Sequence, residues 1–407
     1  IRNTYPPRPA GMQGDFRLMN FFWEETEVPR ATIDLMERHL DGVLVASRFG
    51  RTILRNSGLS IPIGVIGCGI DHRDIAATMP ARAPDAGGSF RFLHVSSGLA
   101  RKGIEELLTG YVAAFTATDA VELVIKTYYN ETNVVQAFYH ALVEHRPNAP
   151  VVHIIAGTML DADMQELYAS AHAVILPTRG EGFNLPAAEA MVSGVPVVVT
   201  AFSAHMDFCS EDTAWLIDFD FESSQSHVRS PNSNWVRART IDLAAVMKKL
   251  YVGSDVVNAE RDRKRLAAFK TASSLTWAES ARKTDQFVDT LMTDAPTKPK
   301  LKVAWVSTWN TKCGIASYSE FLAPSLDPDA IEYTVFANRE PPVSPDGENV
   351  ARAWVMGDEL DEMTGQIIGG GFDAVVVQYN FGFFSLEILG RFVSRLTAAG
   401  IDTYVFF

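Results

Sequence analysis

Short apolar runs alternate with helical patterns through the middle of the 407-residue chain. Within residues 76–292 the apolar runs are FRFLHV, VELVIK, VVHII, HAVIL and VPVVV, and segments such as RKGIEELLTGYVAAF separate them. Runs rich in Val and Ile that alternate with helices of period near 3.6 are typical of βαβ units, in which helices cover both faces of a parallel sheet. The pattern predicts a doubly wound α/β lobe over 76–292, with TAWLI as a sixth strand and SLTWAESARKTDQFVDTLM as a long closing helix.

The same alternation appears on both sides of this lobe. Residues 1–75 contain FRLMNFF, GVLVAS and IPIGVIG, and the Gly-rich GCGID that follows suits a hinge. A Pro- and Lys-rich linker is expected at 293–301, after which 302–407 open a fresh α/β pattern with KVAWVS and DAVVVQYN as strands. The pattern indicates the rear of one two-lobed unit joined to the front of a second, and a chain that starts at Ile1 is expected to be a fragment.

Composition and charge narrow the class of partner. The 47% hydrophobic and 21% charged residues are ordinary for a soluble globular protein. A net charge of -13 argues against nucleic acid, whose phosphates repel an acidic surface, so a small molecule or saccharide is expected. Cys68, Cys209 and Cys313 are too few and too scattered for a disulfide framework or zinc site, which favours a reducing compartment. No apolar run has membrane-spanning length, so a cytoplasmic location is expected, with peripheral contact at the inner face of the membrane left open.

The loop PTRGEGFN follows the apolar run HAVIL. It therefore leaves the carboxyl end of a parallel strand, where open α/β sheets bind ligands. Pro186 is expected as the first helical residue, because its missing N–H costs nothing there. The backbone N–H groups of Phe183, Asn184 and Leu185 would then be unpaired at the helix start, a position that suits a phosphate.

Two glutamates, Glu181 and Glu189, flank this helix start. A carboxylate accepts hydrogen bonds from two adjacent hydroxyls, which matches the diols of a sugar or a ribose. Either glutamate alone is more often a solvated loop residue or a residue that favours a helix N-terminus. Both together, with Gly180 and Gly182 between two buried strands, indicate a site for a nucleotide-sugar.

The loop after FRFLHV offers a second half of the same site. It places Ser96, Ser97, Arg101 and Lys102 between a strand end and a helix start, where two cations would neutralise a leaving diphosphate. The alternative is a pair of solvated surface cations. The loop has neither G-x-G-x-x-G nor a P-loop, and the chain has no H-E-x-x-H or C-x-x-C, so no dinucleotide cofactor or protein-bound metal is expected.

The stretch TRGEGFNLPAAEAM resembles the E-x7-E signature of retaining glycosyltransferases with the GT-B fold, family 4. IGCGID is similar to the hinge of that family, RKGIEELL to its diphosphate loop, and SLTWAESARKTDQFV to the closing helix that crosses back to its N-terminal lobe. The wording HVSSGLARKG is similar to bacterial mannosyltransferases of O-antigen or capsule assembly, several of which carry tandem transferase units. VAWVSTWNTKCGIASYSEFL resembles the opening of a second GT-B N-terminal lobe, which supports the tandem arrangement.

The resemblance implies a division of roles. Glu181 would contact the donor hexose and Glu189 the ribose, while Lys102 and Arg101 would hold the diphosphate; Glu181 and Lys102 are the implied catalytic residues. The family's usual arginine six residues before the lysine is Ser96 here, so Arg101 would take part of its role. The implied donor-binding residues are Glu189, Arg101, Ser96, Ser97, Gly182, Phe183, Asn184 and Leu185.

The implied reaction moves a hexose, with GDP-mannose favoured over UDP-sugars, onto a saccharide or lipid-linked saccharide in surface polysaccharide or lipopolysaccharide synthesis. Trp23, Glu24 and Glu25 are expected to face the cleft and bind the acceptor, although such residues more often cap the next helix. Two alternatives stay open: a catalytically silent module that binds nucleotide-sugar as a scaffold, and a GT-B sugar-nucleotide epimerase. A phosphorylase would need a pyridoxal-binding lysine, which the sequence does not identify.

Overall fold

A computed structural model describes residues 1–4, 6–71, 78–80, 88–129, 133–144, 146–226, 228, 230, 232–293 and 300–407. The chain divides into two compact units, Ile1–Thr293 and Asp294–Phe407. The predicted lobe boundary at 75/76 and most of the predicted linker at 293–301 lie outside the described residues.

The first unit opens with a small parallel sheet whose strands lie side by side in chain order. Its elements are β1 (Leu18–Phe21), α1 (Arg30–His39), β2 (Gly42–Val45), α2 (Arg48–Asn56) and β3 (Ile63–Val65). They follow the apolar runs FRLMNFF, GVLVAS and IPIGVIG, because each run supplies the residues that the sheet buries between its helices.

A six-stranded parallel sheet follows, with strand order β6-β5-β4-β7-β8-β9. Its strands are β4 (Phe90–Val95), β5 (Val121–Thr127), β6 (Val151–Ala156), β7 (Ala173–Leu176), β8 (Val197–Thr200) and β9 (Trp215–Ile217). The helices between them are α3 (Ile104–Ala114), α4 (Val135–Val143), α5 (Asp161–Ala169) and α6 (Leu185–Val192). Strand order reverses at β4, since β5 lies on one side of it and β7 on the other.

Strand β7 shows why the sheet is buried on both faces. Val174 and Leu176 belong to the core under α6, whereas Ala173 and Ile175 belong to the core under α3. Successive side chains of a strand point to opposite faces, so an unbroken apolar run fits a strand that helices cover on both sides.

An antiparallel hairpin, which the sequence pattern did not predict, follows β9. Its strands are β10 (Phe219–Ser223) and β11 (Asn234–Ala238). Three helices complete the unit: α7 (Thr240–Val252), α8 (Asp255–Ala272) and α9 (Trp277–Thr293). Helix α9 returns to the first sheet, where a Cβ added to Gly64 would lie 2.7 Å from the Phe287 ring. The glycine therefore allows the closing helix to approach the strand.

The second unit contains a five-stranded parallel sheet with order β14-β13-β12-β15-β16. Its elements are β12 (Leu301–Ser307), α10 (Gly314–Leu322), β13 (Ile331–Asn338), β14 (Val350–Trp354), α11 (Asp361–Gly369), β15 (Ala374–Gln378), α12 (Leu386–Ala398) and β16 (Asp402–Phe406). Strands β12 and β15 coincide with the predicted KVAWVS and DAVVVQYN. Among the described residues of either unit, no helix combines the length and the apolar character that crossing a membrane requires.

Candidate active site

The loops after β4 and β7 meet where the strand order of the large sheet reverses. The first loop contains a 3₁₀ turn, Ala100–Lys102, that ends at Gly103 with φ of 69°. A Cβ on Gly103 would lie 1.8 Å from the Pro177 carbonyl oxygen, and the Arg179 N–H donates to the Arg101 carbonyl at 2.8 Å. Backbone contacts therefore fix the two loops against each other, at the crevice where doubly wound sheets bind ligands.

Glu181 lies between the two predicted cations. Lys102 Nζ is 2.6 Å from Glu181 Oε1, and Arg101 Nη1 is 3.4 Å from Glu181 Oε2. Glu181 is only 4% exposed. Burial alone raises the pKa of a carboxyl, but Lys102 and Arg101 bring the pKa of Glu181 below its usual value. The carboxylate is therefore ionised, and it can only accept hydrogen bonds.

Arg101 also contacts Glu24, which lies in the segment after β1 of the first sheet. Its Nη2 lies 3.1 Å from Glu24 Oε1, and its Nη1 donates to the Gly180 carbonyl at 3.3 Å. Burial lowers the pKa of a guanidinium, but the two glutamates outweigh that effect, so the pKa of Arg101 is raised. A Cβ on Gly180 would lie 2.1 Å from the Glu24 carbonyl oxygen. Glu24 is thus a direct neighbour of the predicted sugar-binding loop.

Ser96 stabilises the first loop through two hydrogen bonds of its hydroxyl. His94 Nδ1 lies 2.7 Å from the Ile175 carbonyl, so this nitrogen carries the proton, and Nε2 accepts from Ser96 Oγ at 2.8 Å. Ser96 Oγ in turn accepts from the Gly98 N–H at 3.2 Å. Burial lowers the pKa of His94 to about 4, so its ring is neutral near pH 7. The Ser96 hydroxyl therefore holds the loop, and Ser97 follows it in the same loop.

His205 supports the second loop. Its Nε2 donates to the Thr200 carbonyl at 2.7 Å, which leaves Nδ1 to accept from Asn184 Nδ2 at 3.4 Å. Burial lowers the pKa of His205 as well. Asn184 has φ of 80°, a left-handed conformation that few non-glycine residues adopt. The histidine therefore helps to fix the turn that starts α6.

The start of α6 differs in one detail from the prediction. Pro186 is the second helical residue and not the first, because the left-handed turn at Asn184 lets the helix begin at Leu185. Phe183 points inward, where its ring lies 5.2 Å from that of Phe208. Gly182 lies against Phe22, since an added Cβ would be 3.3 Å from that side chain. These predicted donor-binding positions thus enclose the helix start.

Glu189 lies on α6 and is buried. Its Oε2 accepts a hydrogen bond from the Tyr168 hydroxyl at 2.9 Å. Tyr168 is on α5, so the second glutamate of the E-x7-E pattern is anchored to a neighbouring helix. Its predicted contact with a ribose stays a prediction.

The three predicted acceptor residues have separate environments. Trp23 is 6% exposed, its ring stacks on Phe21, and its Nε1 donates to the Glu27 carbonyl. Glu25 is buried and accepts from the Ser224 hydroxyl at 2.6 Å. Of the three, Glu24 is the residue with a described contact to the Arg101 and Glu181 group. The structure therefore places Trp23 in the core of the first sheet and Glu25 against the hairpin.

Arg179 is a site residue that the sequence analysis missed. Its Nη2 lies 2.9 Å from Glu105 and 2.8 Å from Glu106, and its guanidinium stacks 5.5 Å from the Trp235 ring. The Val236 N–H donates to the Arg179 carbonyl at 3.0 Å. The β10–β11 hairpin therefore secures the loop that carries Glu181. Arg179 could have been predicted as a site residue, because it lies inside the motif TRGEGF. His94, Ser203 and His205 also support the site, but no sequence motif marked them.

The described part of the chain brings no three His, Cys, Asp or Glu side chains together in a way that holds a metal ion. What the site offers instead is an ionised carboxylate, two cations and a helix start. These groups suit a ligand that combines hydroxyls with phosphate.

Part of the chain is similar to known glycosyltransferases. Residues 89–224 match the family model described as glycosyl transferases group 1. The MMP alpha-(1->4)-mannosyltransferase of Mycolicibacterium hassiacum is 32% identical over 109 residues, which are 27% of this chain and 25% of that protein. The chain therefore spans about a quarter of the length of this curated relative.

Solved structures share the fold. The sucrose-phosphate synthase of Thermosynechococcus elongatus has a TM-score of 0.52 at 17% identity, over 68% of each chain. The Anabaena protein HepE, solved with UDP and glucose, has a TM-score of 0.51 at 17% identity, over 68% of this chain and 72% of its own. The predicted fold class is confirmed: the lobes are α/β, with the Rossmann-like parallel sheets of the GT-B fold. The residues that match the glycosyl transferases group 1 model, 89–224, include all six strands of the large sheet.

Proposed function

We propose that the chain is a retaining hexosyltransferase that moves mannose from GDP-mannose onto a saccharide acceptor in surface polysaccharide synthesis. The observation that carries the proposal is the 2.6 Å contact between Lys102 Nζ and Glu181 Oε1. A carboxylate for sugar hydroxyls and a cation for phosphate stand side by side, as the hexose and the first phosphate do in a nucleotide-sugar. One ligand can therefore meet both groups at once.

The binding of the donor follows from the charges of the site. Glu181 accepts hydrogen bonds from hexose hydroxyls, and Lys102 and Arg101 face the diphosphate. The N–H of Leu185 and the dipole of α6 add positive potential at the helix start. Glu189, anchored by Tyr168, accepts from the ribose hydroxyls.

The reaction breaks the bond between the anomeric carbon and the phosphate oxygen. Negative charge develops on the departing GDP, and Lys102 stabilises it at a position fixed before the reaction starts. An acceptor hydroxyl attacks from the same face of the sugar, and its proton passes to the departing phosphate oxygen. His94 and His205 are buried with lowered pKa values and serve to position the loops.

Mannose as the transferred sugar has two supports. The stretch HVSSGLARKG resembles bacterial mannosyltransferases, and the matched relative from Mycolicibacterium hassiacum is named as a mannosyltransferase. The acceptor is proposed to be a saccharide or a lipid-linked saccharide, with the protein in the cytoplasm at the inner face of the membrane. No protein-bound cofactor takes part in the proposed reaction.

Calorimetric titration with GDP-mannose, UDP-glucose and UDP-N-acetylglucosamine tests the donor. The proposal predicts that GDP-mannose binds at least tenfold more tightly than either UDP-sugar, a difference of about 1.4 kcal/mol. Equal binding of all three donors would remove the mannose assignment. Binding of GDP-mannose without any turnover in the presence of saccharides would instead favour the scaffold.

A further inference from the structure

Four phenylalanine side chains form a continuous cluster, which we call the aromatic quartet: Phe49, Phe202, Phe219 and Phe221. Phe202 is at its centre, with ring centroids 5.3 Å from Phe49, 5.4 Å from Phe219 and 5.6 Å from Phe221. Phe219 and Phe221 are 5.5 Å apart. Phe221 is 64% exposed, and the other three rings are partly buried. The quartet therefore presents aromatic surface to solvent.

The quartet is continuous with the Glu181 loop. Phe202 directly precedes Ser203, and Ser203 Oγ accepts a hydrogen bond from the Glu181 N–H at 3.1 Å. Ser203 has φ of 80° and ψ of -158°, a backbone region that is almost confined to glycine. Such strain persists where the surrounding structure enforces it, and it clusters at ligand sites. Phe202 is therefore one residue from a strained serine that holds the backbone of Glu181.

Two rings of the quartet come from the β10–β11 hairpin. On β10 the residues Phe219 and Phe221 share one face of the strand, while Asp220 and Glu222 take the other. The two acidic side chains are engaged by Arg239 and by Trp235. The hairpin thus keeps its polar face paired and leaves an aromatic ring in water, although burying that ring would stabilise the fold.

An ion pair lies next to Phe49 along the chain. Arg48 precedes Phe49 and donates from its Nε to Asp207 Oδ1 at 3.0 Å. The Arg48 side chain is 65% exposed. Small-ligand sites combine aromatic surface with a few fixed polar groups, and an arginine with a carboxylate offers both donors and acceptors to a sugar.

We propose that the aromatic quartet binds the apolar face of a pyranose ring in the saccharide acceptor, a proposal that rests on the proposed function. An aromatic face carries negative charge density, and the C–H groups on one face of a pyranose carry slight positive charge, so the two stack. A patch that presents one well-exposed ring matches a single sugar ring, whereas an acyl chain or a second copy of this chain needs a wider apolar surface. Because Phe202 precedes Ser203, which is hydrogen-bonded to the Glu181 backbone, this proposal has the acceptor enter from the side of the Glu181 loop.

Saturation-transfer NMR on the full chain with saturating GDP and methyl α-D-mannopyranoside tests the proposal. We compare wild type with Phe221→Ala, which alters an exposed side chain, and with Phe321→Ala, a matched control on α10 that is 83% exposed. Phe221→Ala should raise the dissociation constant of the pyranoside by about fivefold to tenfold, and Phe321→Ala should leave it unchanged. GDP affinity, measured by calorimetry, should be the same in all three proteins.

A Glu181→Ala variant locates the pyranoside. If the pyranoside signal survives in Glu181→Ala and falls in Phe221→Ala, the quartet is its site. If the signal falls in Glu181→Ala and survives in Phe221→Ala, the pyranoside occupies the donor site and the proposal is overturned. Stronger saturation of dodecyl phosphate than of the pyranoside, lost in Phe221→Ala, would also overturn it in favour of a lipid. A change of oligomeric state in Phe221→Ala would overturn it in favour of a second copy.

The quartet assignment and the proposed function are contradicted by different results. If wild type transfers sugar from a nucleotide-sugar while Phe221→Ala binds the pyranoside and turns over like wild type, the proposed function survives and the quartet assignment falls. If wild type binds the pyranoside through Phe221 but neither binds nor consumes any nucleotide-sugar, the proposed function falls while a saccharide site remains.

Discussion

Lys102 Nζ lies 2.6 Å from Glu181 Oε1, with the two side chains only 12% and 5% exposed. A pair so shielded from water interacts more strongly than a pair on the surface, and the second cation, Arg101, lies farther from Glu181, at 3.4 Å. The proposed sugar-binding carboxylate and the proposed phosphate-binding cation therefore influence each other. A substitution at one of them is expected to change what the other can bind.

The first prediction concerns Lys102→Ala. Loss of the ammonium removes a charge-assisted contact with the diphosphate, so we expect GDP to bind about 10- to 100-fold more weakly. Isothermal calorimetry measures this, with Lys283→Ala, which alters an exposed lysine of α9, as the control. GDP binding of wild-type strength in Lys102→Ala would exclude the lysine from the phosphate site.

The second prediction concerns Glu181→Gln. The amide keeps the shape of the side chain but frees Lys102 and Arg101 from a competing negative charge. GDP alone should therefore bind about threefold to tenfold more tightly at low salt, and the gain should shrink at high salt. Fluorescence titration at the two ionic strengths measures both effects. Weaker GDP binding in this variant would mean that the carboxylate does not oppose the diphosphate.

The third prediction concerns the close approach of Gly180 to Glu24. A Cβ at position 180 would meet the Glu24 backbone oxygen at 2.1 Å, and a backbone atom cannot rotate away as a flexible side chain does. Gly180→Ala should lower the free energy of unfolding by about 1–3 kcal/mol. Gly390→Ala is the matched control, since nothing lies within 4 Å of its added Cβ in α12. Thermal unfolding should show a lower midpoint for the first and, by helix propensity, an equal or higher one for the second.

The α/β fold was predictable because apolar strands and amphipathic helices alternate along the chain. Strand β4 coincides with FRFLHV and the other strands of the large sheet with the remaining apolar runs, since strands covered by helices are mostly apolar. The β10–β11 hairpin was missed although Phe219 and Phe221 alternate with acidic residues as in a half-buried strand. The long segment between Ser223 and Asn234 lacks the two-residue turn signal that marks a hairpin.

The candidate site was predictable only in part. The loops that carry Lys102 and Glu181 follow from the rule that ligands bind at the carboxyl ends of parallel strands. Their direct ion pair did not follow, because it depends on a contact between residues 79 positions apart. The same holds for His94 and His205, whose partners are the carbonyls of Ile175 and Thr200. Contacts between side chains far apart in the chain depend on packing, so no spacing of residue types in the sequence predicts them.

The fourth prediction concerns pH. Burial holds the pKa of His94 near 4 in the folded chain, against 6.5 when unfolded, so protons bind more strongly to the unfolded state. The neutral His94 therefore costs no stability well above pH 6.5, and the free energy of unfolding falls by a growing amount as the pH drops from 6.5 toward 4. Between pH 7.5 and 5.0 this histidine alone should cost about 2 kcal/mol.

Urea unfolding of wild type and His94→Asn at these two pH values measures that cost. The asparagine amide keeps a donor for the Ile175 carbonyl and does not titrate. The variant should lose less stability on acidification than wild type, with His205 accounting for part of what remains. An identical pH dependence in the two proteins would contradict the neutral, buried state of His94.

The most direct test of hexose transfer is a comparison of wild type with Glu181→Gln in the presence of GDP-mannose and a panel of mannosides. Proton NMR follows GDP release and the anomeric configuration of the product. We predict transfer with an α-linked product from the α-linked donor, and at least a 100-fold loss of rate in Glu181→Gln, about 2.7 kcal/mol of transition-state stabilisation. Equal rates in the two proteins, an inverted product, or no transfer by wild type from any nucleotide-sugar would contradict the account.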